Sequence, residues 1–342
     1  AEGLEEIGEY AFYAGENRLG TAPVVRLPAS LKSVQGNSFV WVRAFEVAEG
    51  SESYTAVDGV LYSRDMTRLI SFPKQREQTV YRIPDSVTSV APGALGNVKR
   101  VQRLVIPSSI SSFPGQVFSF SNYREIYFEN GTAEDELTLG EYAFYNLKEL
   151  TSIHFPENTK LTLKQIYLYD TVTNIQSLEI PNGTVAITAN FFPNTIDRYG
   201  MIGLETLRYN AADCSRISNS ANIILGPDAT FALTIGEDVD LLRSGFRYFV
   251  EHATSITFER ENQLFAVSSV FENAPAPFNA LSGFSCIIRR FIAAYVIWIR
   301  LYISAEELYK TVKISKIAFY EFVKHRFLEF ILSGYGERIR QE

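Results

Sequence analysis

Residues Val57–Phe118 read VDGVLYSRDMTRLISFPKQREQTVYRIPDSVTSVAPGALGNVKRVQRLVIPSSISSFPGQVF. One phrase occurs twice in that stretch. Ile83-Pro84-Asp85-Ser86-Val87-Thr88-Ser89-Val90 returns as Ile106-Pro107-Ser108-Ser109-Ile110-Ser111-Ser112-Phe113. The step from Ile83 to Ile106 sets the period. A period of roughly 20 to 50 residues is the signature of stacked coils, each too small to bury an apolar face alone.

Counting from the proline as zero, Leu27-Pro28 joins the other two copies without gaps. Position +2 is Ser30, Ser86 and Ser109; position +3 is Leu31, Val87 and Ile110. Position +5 is Ser33, Ser89 and Ser112; position +6 is Val34, Val90 and Phe113; position +11 is Phe39, Leu95 and Phe118. A fourth copy at Ile180-Pro181 keeps Ile187 and Phe192 but has Thr184 at +3. The apolar run before each proline, such as Arg103-Leu104-Val105-Ile106, reads as a strand. Proline has no N–H for the ladder and ends it. Serines are expected at turns, where a hydroxyl satisfies loose backbone groups. Positions +3, +6 and +11 are expected inside.

The hexapeptide Gly8-Glu9-Tyr10-Ala11-Phe12-Tyr13 recurs unchanged as Gly140-Glu141-Tyr142-Ala143-Phe144-Tyr145. It marks one corner of two coils, with Leu4 at +3, Ile7 at +6 and Phe12 at +11. Residues Ala1–Ile7 thus already lie within a repeat, as expected of a trimmed or processed chain, and no signal peptide is visible. Later strand ends fall at Phe128, Phe155, Ile180, Tyr209, Ile235 and Phe258. Each step again stays within a coil of about 20 to 29 residues. The step from Leu27 to Ile83 is longer and holds two coils with an addition. Phe45–Val47, Val60–Tyr62 and Leu69–Phe72 read as strands around a tight turn at Asp58-Gly59, hence a hairpin insert near 45–73.

These phrases resemble the BspA-type (Treponema-type, LRR_5) leucine-rich repeats. The resemblance rests on the Ile-Pro-x-Ser phrase, the Gly-Glu-Tyr-Ala-Phe corner and Val57-Asp58-Gly59-Val60-Leu61-Tyr62. It covers roughly residues 4–275 and is strongest over 20–145. It implies an α/β, right-handed leucine-rich-repeat solenoid with short parallel strands on one face. It further implies a secreted or surface-displayed, non-enzymatic adhesion module that binds a protein or extracellular-matrix ligand.

Residues 284–342 break the pattern. They contain no Pro or Asp and carry 10 Lys/Arg against 6 Asp/Glu, while the chain as a whole has net charge −7. The expected organisation is a solenoid over 1–283 and a C-terminal cap or tail over 284–342, helical from the capping box Ser304-Ala305-Glu306-Glu307; the alternative to a cap is a basic, aromatic-rich helix that anchors the chain or meets a membrane surface. Phe291–Ile299 is a short apolar run. A bilayer span needs about 20 such residues, so no transmembrane span is expected. The acidic balance argues against nucleic acid, which needs a basic face.

Catalytic signals are weak. His154, His252 and His325 lie in no metal-ligand spacing, and Glu134-Asp135-Glu136 reads as a solvated loop, so neither metal nor cofactor is expected. No nucleophile elbow or phosphate loop is present. Asn130-Gly131-Thr132 and Asn182-Gly183-Thr184 match a glycosylation sequon, but both follow a strand end, where Asn-Gly makes a turn. Cys214 and Cys286 are separated by about three coils. That separation exceeds disulfide reach, so two thiols are expected. Outward strand residues Tyr127, His154 and Arg208 are the candidate ligand contacts, since Tyr and Arg are enriched at hot spots. The expected molecule is a monomer that binds through its extended sheet face. The alternative is an accessory or spacer region of a larger secreted protein with a separate catalytic or anchoring domain.

Overall fold

A computed structural model of the chain describes residues 3–12, 21–35, 38–140, 142–163, 175–187, 205–212, 214, 216–217, 230–242, 246–259 and 265–266. The apolar runs before each proline position form the first set of parallel ladders. Val24–Leu27 pairs with Ala44–Val47. Val80–Arg82, Arg103–Ile106, Glu125–Phe128 and Ser152–His154 form one four-stranded sheet. Ser177–Ile180, Thr206–Tyr209, Phe231–Ile235 and Ala253–Phe258 form another. Equivalent positions face each other: Leu104 pairs with Ile126, and Ile106 with Phe128. The described residues form a parallel-strand solenoid of stacked coils.

Two expectations need correction. Strands occupy a second row in each coil. Ser33–Val34 pairs with Glu6–Ile7, Ser89–Val90 with Arg68–Ser71, and Glu136–Thr138, Lys160–Leu163, Thr184–Ile187 and Arg216–Ile217 continue the row. The serines at +5 therefore sit in a ladder and not in a turn. Past the proline turn the chain is extended, and its amides find carbonyls on the preceding coil, as Ala91 N does on Leu69 O at 2.9 Å. Over the described residues the fold class is also β, not α/β. Among the described residues the one helix is Arg247–Glu251. The return segments are too short to nucleate helix; they turn instead on left-handed residues. Tyr10, Gly93, Gln116 and Tyr142 share one such corner, with φ of 55°, 68°, 56° and 58°. Asn97, Phe120 and Asn146, a little further along each coil, share a second. The expected helical cap and the whole of 284–342 lie outside the described residues.

The +2 serines do act at turns. Ser109 Oγ donates to Val87 O at 2.7 Å, Ser86 Oγ to Met66 O at 3.1 Å and Ser30 Oγ to Leu4 O at 2.9 Å. Each hydroxyl ties its coil to the one before. The interior is filled as expected by Leu31, Val87 and Ile110 at +3, and by Phe39, Leu95 and Phe118 at +11, all buried. Phe39 stacks on Phe12 at 5.2 Å and Phe118 on Phe144 at 5.5 Å, so the repeated hexapeptide does mark one corner. In the first coil Phe12 is 52% exposed.

The insert is a meander rather than a hairpin. Tyr54–Val57 and Val60–Ser63 pair antiparallel around Asp58-Gly59, whose φ angles of 49° and 73° make the tight turn that suits twisted strands. Val60–Ser63 then pairs antiparallel with Arg68–Ser71, which rejoins the second ladder. Asp65 closes that turn by accepting from Ser63 Oγ at 2.6 Å and Thr67 N at 3.1 Å. Those hydrogen bonds hold its carboxyl below the usual range. Beneath the insert lies Lys74, 2% exposed, whose Nζ donates to Gly93 O and Ala94 O, both at 2.7 Å. Burial pushes its pKa down to about 7.

Close packing of coils singles out one glycine of the repeated hexapeptide. A Cβ on Gly140 would lie 2.5 Å from Gly115 N and 2.6 Å from Pro114 C, whereas a Cβ on Gly8 meets nothing. Gly140→Ala is expected to cost about 3 kcal/mol and Gly8→Ala under about 0.5 kcal/mol. Chemical unfolding of the two variants checks this.

Candidate binding face of the outer sheet

Alternation along each strand decides what faces outward. In Glu125–Phe128, Ile126 and Phe128 are buried while Glu125 and Tyr127 lie on the other face. Register then places Val105, Tyr127 and His154 side by side on three neighbouring strands, and Arg103, Glu125 and Ser152 beside them. Two of the three candidate ligand residues are therefore neighbours. The Tyr127 and His154 rings lie 5.5 Å apart, and the Arg103 guanidinium stands 5.5 Å from the Tyr127 centroid. Glu125 ties the group together, at 3.4 Å from Arg103 Nε and 3.5 Å from His154 Nε2. The result is a half-exposed aromatic pair rimmed by a cation and a carboxylate. Such a surface can stack on an apolar side chain and hydrogen-bond beside it.

Arg208 lies elsewhere, in the sheet that begins at Ser177–Ile180. It is already engaged. Its Nε and Nη2 approach Glu259 Oε2 at 3.0 and 2.7 Å, and its Nη1 bonds Glu179. Arg82 repeats the device. It grips Glu129 at 2.8 and 2.7 Å, and Asp85 at 2.6 Å. In both cases an outward arginine reaches a glutamate that follows a strand end two coils later. These carboxylates hold both guanidiniums above their ordinary range. Exposed pairs of this kind contribute at most about 1 kcal/mol each. They brace neighbouring coils, as Glu125 does for Arg103 and His154.

Sequence reasoning found Tyr127 and His154 but not Arg103 or Glu125. Aligning the copies at their strand ends, Ile106, Phe128 and Phe155, would have brought all four together.

The asparagines of the two Asn-Gly pairs take part in a separate ladder; Asn182-Gly183 lies in a turn, whereas Asn130-Gly131 does not. Asn182 accepts from Asn158 N at 2.7 Å and donates Nδ2–H to Asn158 Oδ1 at 2.9 Å; Asn130 Oδ1 accepts from Glu157 N at 3.0 Å. Asn210 repeats the pattern on Asp238, at 2.8 and 3.0 Å. Each amide ties one coil to the next, a role different from the turn expected at the sequons. In the acidic loop, Asp135 Oδ2 accepts from Thr132 N at 2.6 Å. Among the described residues no group of His, Cys, Asp and Glu is arranged to hold a metal ion. Also among them, no helix is long and apolar enough to cross a membrane. Cys214 is buried as a thiol; Cys286 and His325 lie outside the described residues.

The stacked coils, the serine bonds and the two ladders bear on kinship. The model of the BspA type leucine rich repeat region matches six copies over residues 70–197. Residues 70–197 are BspA-type leucine-rich repeats. The Tyr127–His154 group lies wholly within them. A search of curated proteins returns no match. Among solved structures, the chain is similar to a leucine-rich repeat protein from Eubacterium ventriosum, with 16% identity, a TM-score of 0.47 and coverage of 76% of this chain and 61% of that one. A leucine rich cell surface protein from Faecalibacterium prausnitzii gives 18% identity, a TM-score of 0.38 and coverage of 75% and 52%. The pneumococcal vaccine antigen PcpA gives 18%, 0.35, and 73% and 52%. The chain thus spans about half to three-fifths of the length of these structures.

Proposed function

We propose that the BspA-type solenoid is a non-enzymatic binding module that grips a protein or matrix ligand through its outer sheet face, centred on Tyr127 and His154. The observation that carries this reading is the outward aromatic pair flanked by Arg103 and Glu125. Stacked coils hold that pair on rigid parallel strands, so little ordering entropy is lost on binding. Arg208 is part of the proposed surface only as a peripheral contact, because its carboxylate partners would have to be exchanged for the ligand. The proposal includes an extracellular or cell-surface location, which the repeat family implies, and a monomeric module that binds neither nucleic acid nor any cofactor.

The test is capture of a ligand from extracellular-matrix extracts, followed by titration with purified variants. Tyr127→Ala and His154→Ala are each expected to weaken binding tenfold or more, corresponding to about 1.4 kcal/mol or above. Thermal unfolding of both should stay near that of the parent, since neither side chain is buried. Undiminished binding by the double variant would remove the sheet face from consideration.

A further inference from the structure

Although the chain is acidic overall, residues 86–124 contain no Asp or Glu and carry Lys99, Arg100, Arg103 and Arg124. The fold gathers these four cations at one corner, where two neighbouring coils enter their strands. Asn122 N bonds Val98 O at 2.8 Å and Arg124 N bonds Gln102 O at 2.7 Å, so the residues on either side of Arg100 are tied to Asn122 and Arg124 on the next coil. Arg103 is shared with Glu125, and Lys99 Nζ donates to Phe120 O at 3.0 Å. Arg100 and Arg124 are exposed, and among the described residues their side chains have no ion-pair or hydrogen-bond partner. They contrast with Arg82 and Arg208, each held by two carboxylates.

Phe120 stands at the same corner. It is 40% exposed, with φ at 60°, and meets Tyr145 edge-on at 5.2 Å. Equivalent corners of the adjoining coils carry Asn97 and Asn146, with φ of 58° and 55°. Asparagine tolerates the left-handed conformation, whereas a bulky aromatic there is strained. Burial does not offset that strain, because much of the ring stays in water. An exposed, strained ring whose carbonyl holds Lys99, on the same coil as the unpaired Arg124, is suited to a contact surface.

We propose that this corner is a second interaction surface, and that it takes an extended acidic polypeptide segment carrying apolar side chains. Guanidinium pairs carboxylate in a planar, two-bond geometry, and the Phe120–Tyr145 pair receives the apolar residue beside it. A uniform polyanion fits less well. It would leave the Phe120–Tyr145 pair unused. This goes beyond the sheet-face reading and does not depend on it.

The experiment uses the full chain and a fluorescently labelled peptide of alternating Glu and Tyr, read by anisotropy. Companion probes are a Glu-Gly peptide and heparin as a sulfated polysaccharide. The expected result is saturable binding of the Glu-Tyr peptide, weakened roughly tenfold to hundredfold by R100E/R124E. Phe120→Ala should weaken the Glu-Tyr peptide about tenfold and leave the Glu-Gly peptide unchanged. Tyr127→Ala/His154→Ala should leave all three probes unaffected, which separates this surface from the sheet face. Both arginines are exposed, so the charge reversal should fold with an unchanged melting curve. The proposal is overturned if the Glu-Tyr peptide does not bind, or if R100E/R124E binds it as the parent does. It is equally overturned if heparin binds more tightly than the peptide and Phe120→Ala makes no difference, which would mark a polyanion surface.

Discussion

Phe118→Ala is expected to lower the unfolding free energy by about 4 kcal/mol. Phe118 is fully buried at +11 and touches four other rings. It stacks on Phe144 at 5.5 Å and meets Phe113, Phe128 and Tyr123 at 5.4, 6.3 and 6.5 Å. Truncation removes apolar burial and leaves a cavity that stiff parallel ladders cannot close. The control is Phe12→Ala, at the same position of the first coil. With half of that ring in water, its loss should cost about 1 kcal/mol or less. Urea unfolding followed by circular dichroism reads both. Equal losses at the two positions would mean that +11 is not a layer between coils. Because each coil leans on its neighbours, destabilisation at Phe118 should also expose the coil that carries Phe144 to proteolysis.

The second large effect is a dependence on pH set by Lys74. Its amine has a folded pKa of about 7 against 10.5 in the unfolded chain. Between those values the unfolded chain binds a proton that the folded chain does not, so stability rises with pH, at about 1.4 kcal/mol per unit. Below pH 7 both states are protonated and the full penalty, on the order of 5 kcal/mol, is present. Above pH 10 the trend reverses. Tyr62, Tyr81 and Tyr123 are buried and their folded pKa values lie above the ordinary one, so the unfolded chain ionises first. The expected curve climbs from pH 7 to about 9.5. Lys74→Met removes the titrating group and should flatten that climb, whatever it does to stability at a single pH through the two carbonyls it leaves. An unchanged slope in Lys74→Met would show that another group is responsible.

Lys74 also shows where reading the chain stops. In Phe72-Pro73-Lys74-Gln75 nothing marks this lysine as interior, because lysine is rarely buried without a carboxylate. It is drawn inside because the corner at Gly93 and Ala94 turns two carbonyls toward it. The second ladder was hidden for a related reason. Very short strands such as Ser33–Val34 leave no room for alternation to register. Their extended shape comes from the coil alongside. The meander was only half visible, since Asp58-Gly59 announced its first turn but Tyr54–Val57 did not stand out as a strand.

The covalent chain by itself determined the cross-section of a coil: a strand ended by proline, a serine at the turn, and apolar residues at +3 and +11. Those features repeat locally, so each copy states them again. What only the stacking decided is which residues of different coils meet. Tyr127 reaches His154, Arg82 spans to Glu129, and a side chain on Gly140 would collide with Gly115 while one on its twin Gly8 would meet open space. Identical hexapeptides acquire different roles because a coil has no interior until another lies against it. That neighbour is set by the unequal lengths of chain between one strand and the next.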